Sequence, residues 1–478
     1  MSLRKIAFGS ALLSSVGVIR LLAQFFVVPL LSRLLEPQDY GLIAMAMPFV
    51  LFTMIFSDAG LGQSLIRHKQ RDRMLWSTCF WLSFGIGGAF SLGVALMAYP
   101  SALFFGEPEL LAVLLALAPV AAAQAACSIP QAAMQQEKRF KMIAALDLST
   151  IIASIATAAL VAYLGGGVWA LVAQQLVLYG AKLAGVFMLT PFRPGFCFDM
   201  KDAREHLMFG RDIVGYKTVI FFTNTAITFS IGKILGAMLL GFYNMAFLFV
   251  RLPYNIITGP LQFVLYGHLA PHQDDTALLR RMFIVLTRLL AGIIIPAMGM
   301  VAIAHGPFFD LLLSEKWGKA GELFLYAAPA GALQAVMGLR GTFLLGAGRS
   351  DIQFRIVFES FVVFMIFLAA TVWINVEWVA LGYSLAVLLY APRDFMLARP
   401  FVYCSALEYI KLLAIPILLT LAGCALYTGI VDLLLPGDLA SVGVAIVIGF
   451  LILCAGTLLQ WKALREELSG LKADWARV

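Results

Sequence analysis

A chain of 478 residues with 62% apolar and only 13% charged side chains, and a mean hydropathy of +0.92, cannot coat a water-soluble particle, which needs a charged fraction of about 25%. Most of its surface must face lipid. Its net charge of +7 matters less than how that charge is distributed, and its six cysteines (Cys79, Cys127, Cys197, Cys404, Cys424, Cys454) include no C-x-x-C pair, so they read as small core residues instead of a disulfide or metal framework.

In chain order, MSLRK precedes an apolar run that reaches Leu31. The run is too long for a signal-peptide core and no A-x-A-like site follows it, so a first membrane span is expected over 7–32. Further runs near the roughly 20 residues that a crossing helix needs follow over 40–66, 74–99, 109–134, 143–164, 168–189 and 212–232. The series continues over 239–266, 282–304, 322–345, 354–374, 377–398, 405–430 and 439–461. Pro253 and Pro260 interrupt the eighth span, which is tolerable where neighbours satisfy the freed backbone. The fold class expected is all-α, a polytopic membrane protein of about 14 transmembrane helices.

Lysines and arginines alternate from loop to loop. One set of loops and span ends carries Arg4 and Lys5, RHKQRDR (67–73), EKRFK (137–141), the 190–211 connection, Arg280 and Arg281, Arg349 and Arg355, Arg393 and Arg399, and the tail. The other set holds only Arg33, Lys233, Lys316 and Lys319. The positive-inside rule then places both termini in the cytoplasm.

The chain also repeats itself. LSRLLEPQDYGLIAMAMPFV (31–50) and IGKILGAMLLGFYNMAFLFV (231–250) agree at Leu35/Leu235, Gly41/Gly241, Met45/Met245, Ala46/Ala246, Phe49/Phe249 and Val50/Val250, with Arg33 opposite Lys233. An even number of spans separates the copies, so they share one orientation, the mark of parallel repeats. The expected organisation is an N-terminal six-helix lobe (1–190), a cytoplasmic connector (191–211), a C-terminal six-helix lobe (212–400), and two further helices with a cytoplasmic tail (401–478). KDAREHLMFGR in the connector reads as a short interfacial helix. Two like-oriented lobes suit alternating access.

SDAGLGQSLIRHK (57–69), IPQAAMQQEKRFKMIAALDL (129–148), GGGVWALVAQQLV (165–177) and FLLGAGRSD (343–351), together with the repeated segments, resemble the polysaccharide transporter family. These are the O-antigen and exopolysaccharide flippases, of colanic-acid-exporter type, in the multidrug/oligosaccharidyl-lipid/polysaccharide flippase superfamily. The resemblance implies a polyprenyl-diphosphate-linked oligosaccharide moved from the cytoplasmic to the periplasmic leaflet of the inner membrane, for lipopolysaccharide or exopolysaccharide biosynthesis. It also implies membrane lipids, a polysaccharide polymerase and glycosyltransferases as partners, and a lipid-tail groove at the last two helices. The chain departs from the family pattern at Ile227, where relatives carry an acid four residues before the I-G pair that ends the seventh span.

A diphosphate needs positive charge in a shielded cavity, and intramembrane charges face a bundle interior or water. Arg20 and Gln24, one turn apart in the first span, are expected to line that cavity, as is Arg251 in the eighth. Lys217 and Asn224 share a face of the seventh span with Thr228, a polar stripe suited to sugar hydroxyls. Asp58 and Glu359 are candidates for ion pairing or for coupling to an ion. Arg288, Arg340, Lys182 and Lys411 are read as snorkelling toward headgroups. No Walker glycine loop, H-E-x-x-H or Cys/His metal spacing occurs, so no cofactor, metal, nucleic acid or catalytic group is expected. The alternatives are a related carrier of drugs or peptidoglycan precursors, or a membrane polysaccharide polymerase. The polymerase fits poorly, because the longest external stretch, 305–321, is short.

Overall fold

The computed structural model describes residues 27–58, 65, 73–195, 200–269, 275–434 and 437–475; over 54–58, 200–220, 223–224 and a few other positions it describes the backbone alone. All regular structure among these residues is helical. After a helical stretch at 27–34 come α1 (Pro37–Asp58), α2 (Arg73–Phe105), α3 (Glu109–Leu117), α4 (Pro119–Gln136), α5 (Phe140–Tyr163), α6 (Val168–Leu189) and α7 (Met200–Val250). A π turn at Tyr254–Thr258 leads to α8 (Gly259–Leu269), α9 (Thr276–Ile303), α10 (His305–Leu312), α11 (Gly318–Met337) and α12 (Leu339–Gly346). The chain ends with α13 (Ser350–Thr371), α14 (Val376–Val402), α15 (Ala406–Leu434) and α16 (Asp438–Trp475). Ten stretches among the described residues are long and apolar enough to cross a membrane. Arg20 and the bulk of the first expected span lie outside the described residues.

Local chemistry sets the helix limits. Asp275 Oδ1 accepts from Leu278 N (3.0 Å) at the start of α9, and Asn375 Oδ1 from Trp378 N (2.9 Å) at the start of α14, each satisfying an orphan donor. Two buried hydroxyls turn back to their own helix carbonyls, Thr53 to Val50 (2.6 Å) and Thr420 to Pro416 (2.7 Å), and so need no partner on another helix. α7 breaks at Gly236, whose φ of 87° suits glycine. The connector helix is longer than expected: 200–235 runs unbroken into the seventh span, since that stretch contains no proline.

The chain forms two compact units, Met1–Gly241 and Phe242–Val478. In the first, α2 packs on α4, α5 on α6, and α1 against α2, α4 and α6. The boundary lies beyond the 191–211 connector, and aromatic contacts explain why. Phe221 and Phe222 of α7 meet Phe52, and Phe229 meets Phe49 and Phe105. The connector's start is also fixed here, with Trp81 Nε1 donating to Gly195 O (2.8 Å) and Gly195 N to Ser77 Oγ (3.0 Å). In the second unit α9 packs on α11, α15 and α16, and α14 on α11 and α13. Trp317, Phe309 and Phe324 are fully buried there.

The repeated segments touch each other reciprocally inside the first unit. A Cβ on Gly41 would stand 1.8 Å from Ala237 O, and one on Gly241 would stand 1.8 Å from Pro37 O. Shifting by the repeat offset turns either contact into the other. Matched positions also share an environment: Met45, Ala46 and Val50 are buried like Met245, Ala246 and Val250, while Arg33 and Lys233 are both exposed.

Candidate functional site

Arg251 follows the last turn of α7, about 20 Å along the helix from the break at Gly236 at 1.5 Å per residue. It is exposed, and a charge on a helix this apolar requires water or a polar ligand. Its guanidinium lies over the Phe247 ring, 6.0 Å from the centroid, a cation–π contact that holds its position. Phe247 stacks on Tyr243 (4.0 Å) and meets Tyr383 of α14 edge-on (4.9 Å). Tyr383 Oη donates to Gln334 Oε1 of α11 (2.5 Å), and the exposed Gln334 keeps its amide N–H groups for another acceptor. A cation, an aromatic surface and an amide–phenol pair therefore gather on one side of the second unit. That set can hold a phosphate and read hydroxyls.

The backbone beside Arg251 is unusual. Pro253 has no N–H to donate, and the π turn begins at the next residue. Side chains fasten the turn and the start of α8 to the end of α11: Thr258 Oγ1 donates to Ala335 O (2.9 Å), and Gln262 Nε2 of α8 to the O of Gly338, which joins α11 to α12 (2.7 Å). Gln334 and Tyr383 were not expected from the sequence. They lie 49 residues apart, and a polar residue in a span carries no mark of the face it occupies.

Of the other candidates, Arg20 and Gln24 lie outside the described residues. Asp58 is the last residue of α1, and Lys217 and Asn224 lie on the unbroken 200–235 helix; the side chains of these three lie outside the description. Glu359 is held in an ion-pair network, not left free. Its Oε1 is 2.7 Å from Arg355 Nε, and its Oε2 accepts from Arg393 Nε (3.2 Å) and Tyr390 Oη (3.0 Å). Nearby, Arg340 is paired with Asp394 and also donates to Met337 O (3.1 Å).

Snorkelling, expected for four basic residues, fails for three. Arg340 pairs with Asp394, Arg288 with Glu467 (3.0 Å) and Lys182 with Asp147 (3.2 Å), each basic side chain less than a fifth exposed. A carboxylate on a neighbouring helix pairs with each charge without the side chain reaching the headgroups. Lys411 is exposed.

A groove runs along the second unit between α9 and α16. One cavity of about 350 Å³ is lined by apolar residues only, Met300, Val301, Phe308, Ala445, Ile446 and Phe450 among them. A second, of about 110 Å³, adjoins it through Leu453 and reaches α15.

The long apolar helices define an all-α, polytopic membrane protein. The structure is similar to that of the lipid II flippase MurJ in an inward closed conformation (TM-score 0.75, 12% identity, 94% of this chain and 99% of that one). It is also similar to an inward-facing multidrug resistance MATE family transporter (TM-score 0.55, 14% identity, 81% and 96%). Residues 30–322 match the family described as "Polysaccharide biosynthesis protein", and the chain belongs to that family. It is 24% identical over 435 residues to lipopolysaccharide biosynthesis protein WzxC of Escherichia coli, covering 88% of this chain and 87% of that one. It is likewise 24% identical over 347 residues to succinoglycan biosynthesis transport protein ExoT of Rhizobium meliloti, covering 72% and 70%.

Proposed function

We propose that this protein is a secondary transporter that flips a polyprenyl-diphosphate-linked oligosaccharide from the cytoplasmic to the periplasmic leaflet of the inner membrane, by alternating access, for cell-surface polysaccharide biosynthesis. Both termini are cytoplasmic in this reading. Glycosyltransferases build the substrate beforehand, a polymerase consumes it afterwards, and the protein itself makes or breaks no bond. The observation that carries the proposal is Arg251, exposed beside Phe247 and on the same side as the Tyr383–Gln334 pair.

Arg251 and Arg20 hold the diphosphate, with Gln24, Lys217 and Asn224 reading adjoining hydroxyls. The apolar cavity beside α9 and α16 takes part of the polyprenyl tail. The ion pairs around Glu359 support a clamp between α13 and α14, which leaves Asp58 as the coupling candidate of the two acids. The lobes of the carrier are 1–190 and 212–400, joined by 191–211, with 401–478 as the accessory helices and tail.

A strain lacking the gene, complemented with variants, tests this by measuring which leaflet holds a labelled lipid-linked intermediate. The deletion should trap the intermediate on the cytoplasmic side. Arg251→Ala should reach the membrane at normal abundance yet fail to restore flipping, a loss of roughly a hundredfold in affinity for a charged contact in a dehydrated cavity. Arg251→Lys keeps the charge without the planar fork and should restore part of it. Normal translocation with a defect only in chain length would replace the flippase by the polymerase.

A further inference from the structure

The groove beside α9 has unlike ends. Its smaller cavity is lined by Leu289, Ile293 and Ile452 but also by Arg288, Thr457 and Gln460. Arg288 pairs through Nη2 with Glu467, while its buried Nε and Nη1 have no hydrogen-bond partner. Unpaired guanidinium N–H groups are costly to bury. A swing of the side chain into the groove it lines would bring them to an acceptor.

This end is also basic. Here α9, α15 and α16 meet, with Arg280 paired to Glu408 and Arg281 against Gly470, and Lys411, Lys462 and Arg465 lie on the same stretches of α15 and α16. With Arg288 these outnumber Glu408, Glu466 and Glu467. Such a cluster at a membrane surface attracts anionic headgroups.

The glycines of α9, α15 and α16 fall into two kinds. A Cβ on Gly299 or Gly423 would come within 2.2 or 2.3 Å of Thr420 or Ile452, so close helix packing demands them. Gly292 and Gly456 line the smaller cavity instead. A Cβ on Gly292 meets nothing within 4 Å, and one on Gly456 makes only an ordinary contact with Leu419 at 3.5 Å. Packing within the protein does not demand glycine at these two, so the wall of the smaller cavity stays open there.

We infer that the smaller cavity of this groove, distinct from the larger apolar one given to the polyprenyl tail, binds an anionic phospholipid of the leaflet on its basic side, with the headgroup phosphate on Arg288 and an acyl chain along Gly292 and Ile293. The test is native mass spectrometry of the full-length protein in detergent, incubated with equal amounts of phosphatidylglycerol and phosphatidylcholine. One phosphatidylglycerol should be retained with at least about tenfold preference. Because Arg288→Gln alone strands the Glu467 carboxylate, the variants are Arg288→Gln with Glu467→Gln, which should lose the preference, and Gly292→Phe, which should lose both lipids. A melting curve on each variant establishes folding. Equal retention of the two lipids by the wild type, or unchanged retention in both folded variants, overturns the inference. Displacement of phosphatidylglycerol by an equal amount of polyprenyl phosphate also overturns it, assigning the smaller cavity as well to the transported lipid.

Discussion

Replacing Gly41 by alanine tests the closest helix approach in the molecule's first unit. The new methyl would start 1.8 Å from Ala237 O and must retreat to the 3.4 Å at which ordinary contact begins, so α1 and the second half of α7 must separate by about 1.6 Å. A gap of that size forfeits most of the dispersion contact along the seam, and overpacking of this kind costs about 3 kcal/mol at the upper end of its usual range. Alanine returns about 1 kcal/mol of helix propensity, for a net loss of about 2 kcal/mol. Gly241→Ala meets the mirror contact with Pro37 O and should lose the same amount. Once either methyl has parted the helices, the second finds room. The double variant should therefore lose clearly less than the roughly 4 kcal/mol sum. Thermal unfolding of detergent-purified protein, followed by tryptophan fluorescence, measures all three, with Gly292→Ala as the control that should lose nothing. Wild-type melting of Gly41→Ala, or strict additivity in the double variant, refutes the reasoning.

Four other outcomes are expected. Arg340→Ala strands the buried Asp394 carboxylate and should cost about 3–5 kcal/mol, whereas Arg340→Met with Asp394→Leu should recover most of it; equal melting of the single and double variants would show that the pair is not coupled. Asp310, on α10 outside the membrane-spanning segments, has its carboxyl pushed above the ordinary range by burial and then by the charges of Asp438 and Glu315. Its folded form therefore holds the proton more tightly than its unfolded form, so the ionised group opposes folding at about pH 7 and the opposition vanishes as pH falls below the ordinary carboxylate pKa. Asp310→Asn should accordingly melt higher at neutral pH, with an advantage that shrinks on acidification; a pH-independent difference would contradict this. Tyr383→Phe removes the donor to Gln334 but keeps the ring against Phe247, and should cut flipping about tenfold at equal abundance, the worth of one lost hydrogen bond; unchanged flipping would take the pair out of the site. Reporter fusions at Trp76 and at the C-terminus should both signal cytoplasm, and a periplasmic signal at Trp76 would overturn the orientation.

Helices were legible because lipid demands long apolar runs and imposes them on the sequence directly. The repeat was legible for a related reason: Gly41 and Gly241 leave a mark at one fixed offset. What the sequence conceals is the direction a side chain faces. Arg340, Arg288 and Lys182 sit at depths compatible with snorkelling, and only the neighbouring helix reveals Asp394, Glu467 or Asp147 beside them. Gln334 and Tyr383 escape for the same reason. Arg251 was legible because a mid-span charge beside a proline is rare enough to stand out alone, but its aromatic surroundings were not.

The reciprocal contact at Gly41 and Gly241 also bears on ancestry. A contact that maps onto itself when two copies exchange places is the kind a homodimer makes across its own two-fold axis. A half-length ancestor carrying one such segment would have met its twin through that glycine, and duplication followed by fusion would turn the dimer seam into a contact within one chain. Fusion frees most matched positions to diverge, as Pro37 and Ala237 have done. It does not free the glycines. Each faces the backbone of the other copy, so a change at either is felt by both, and drift is held at 41 and 241 together.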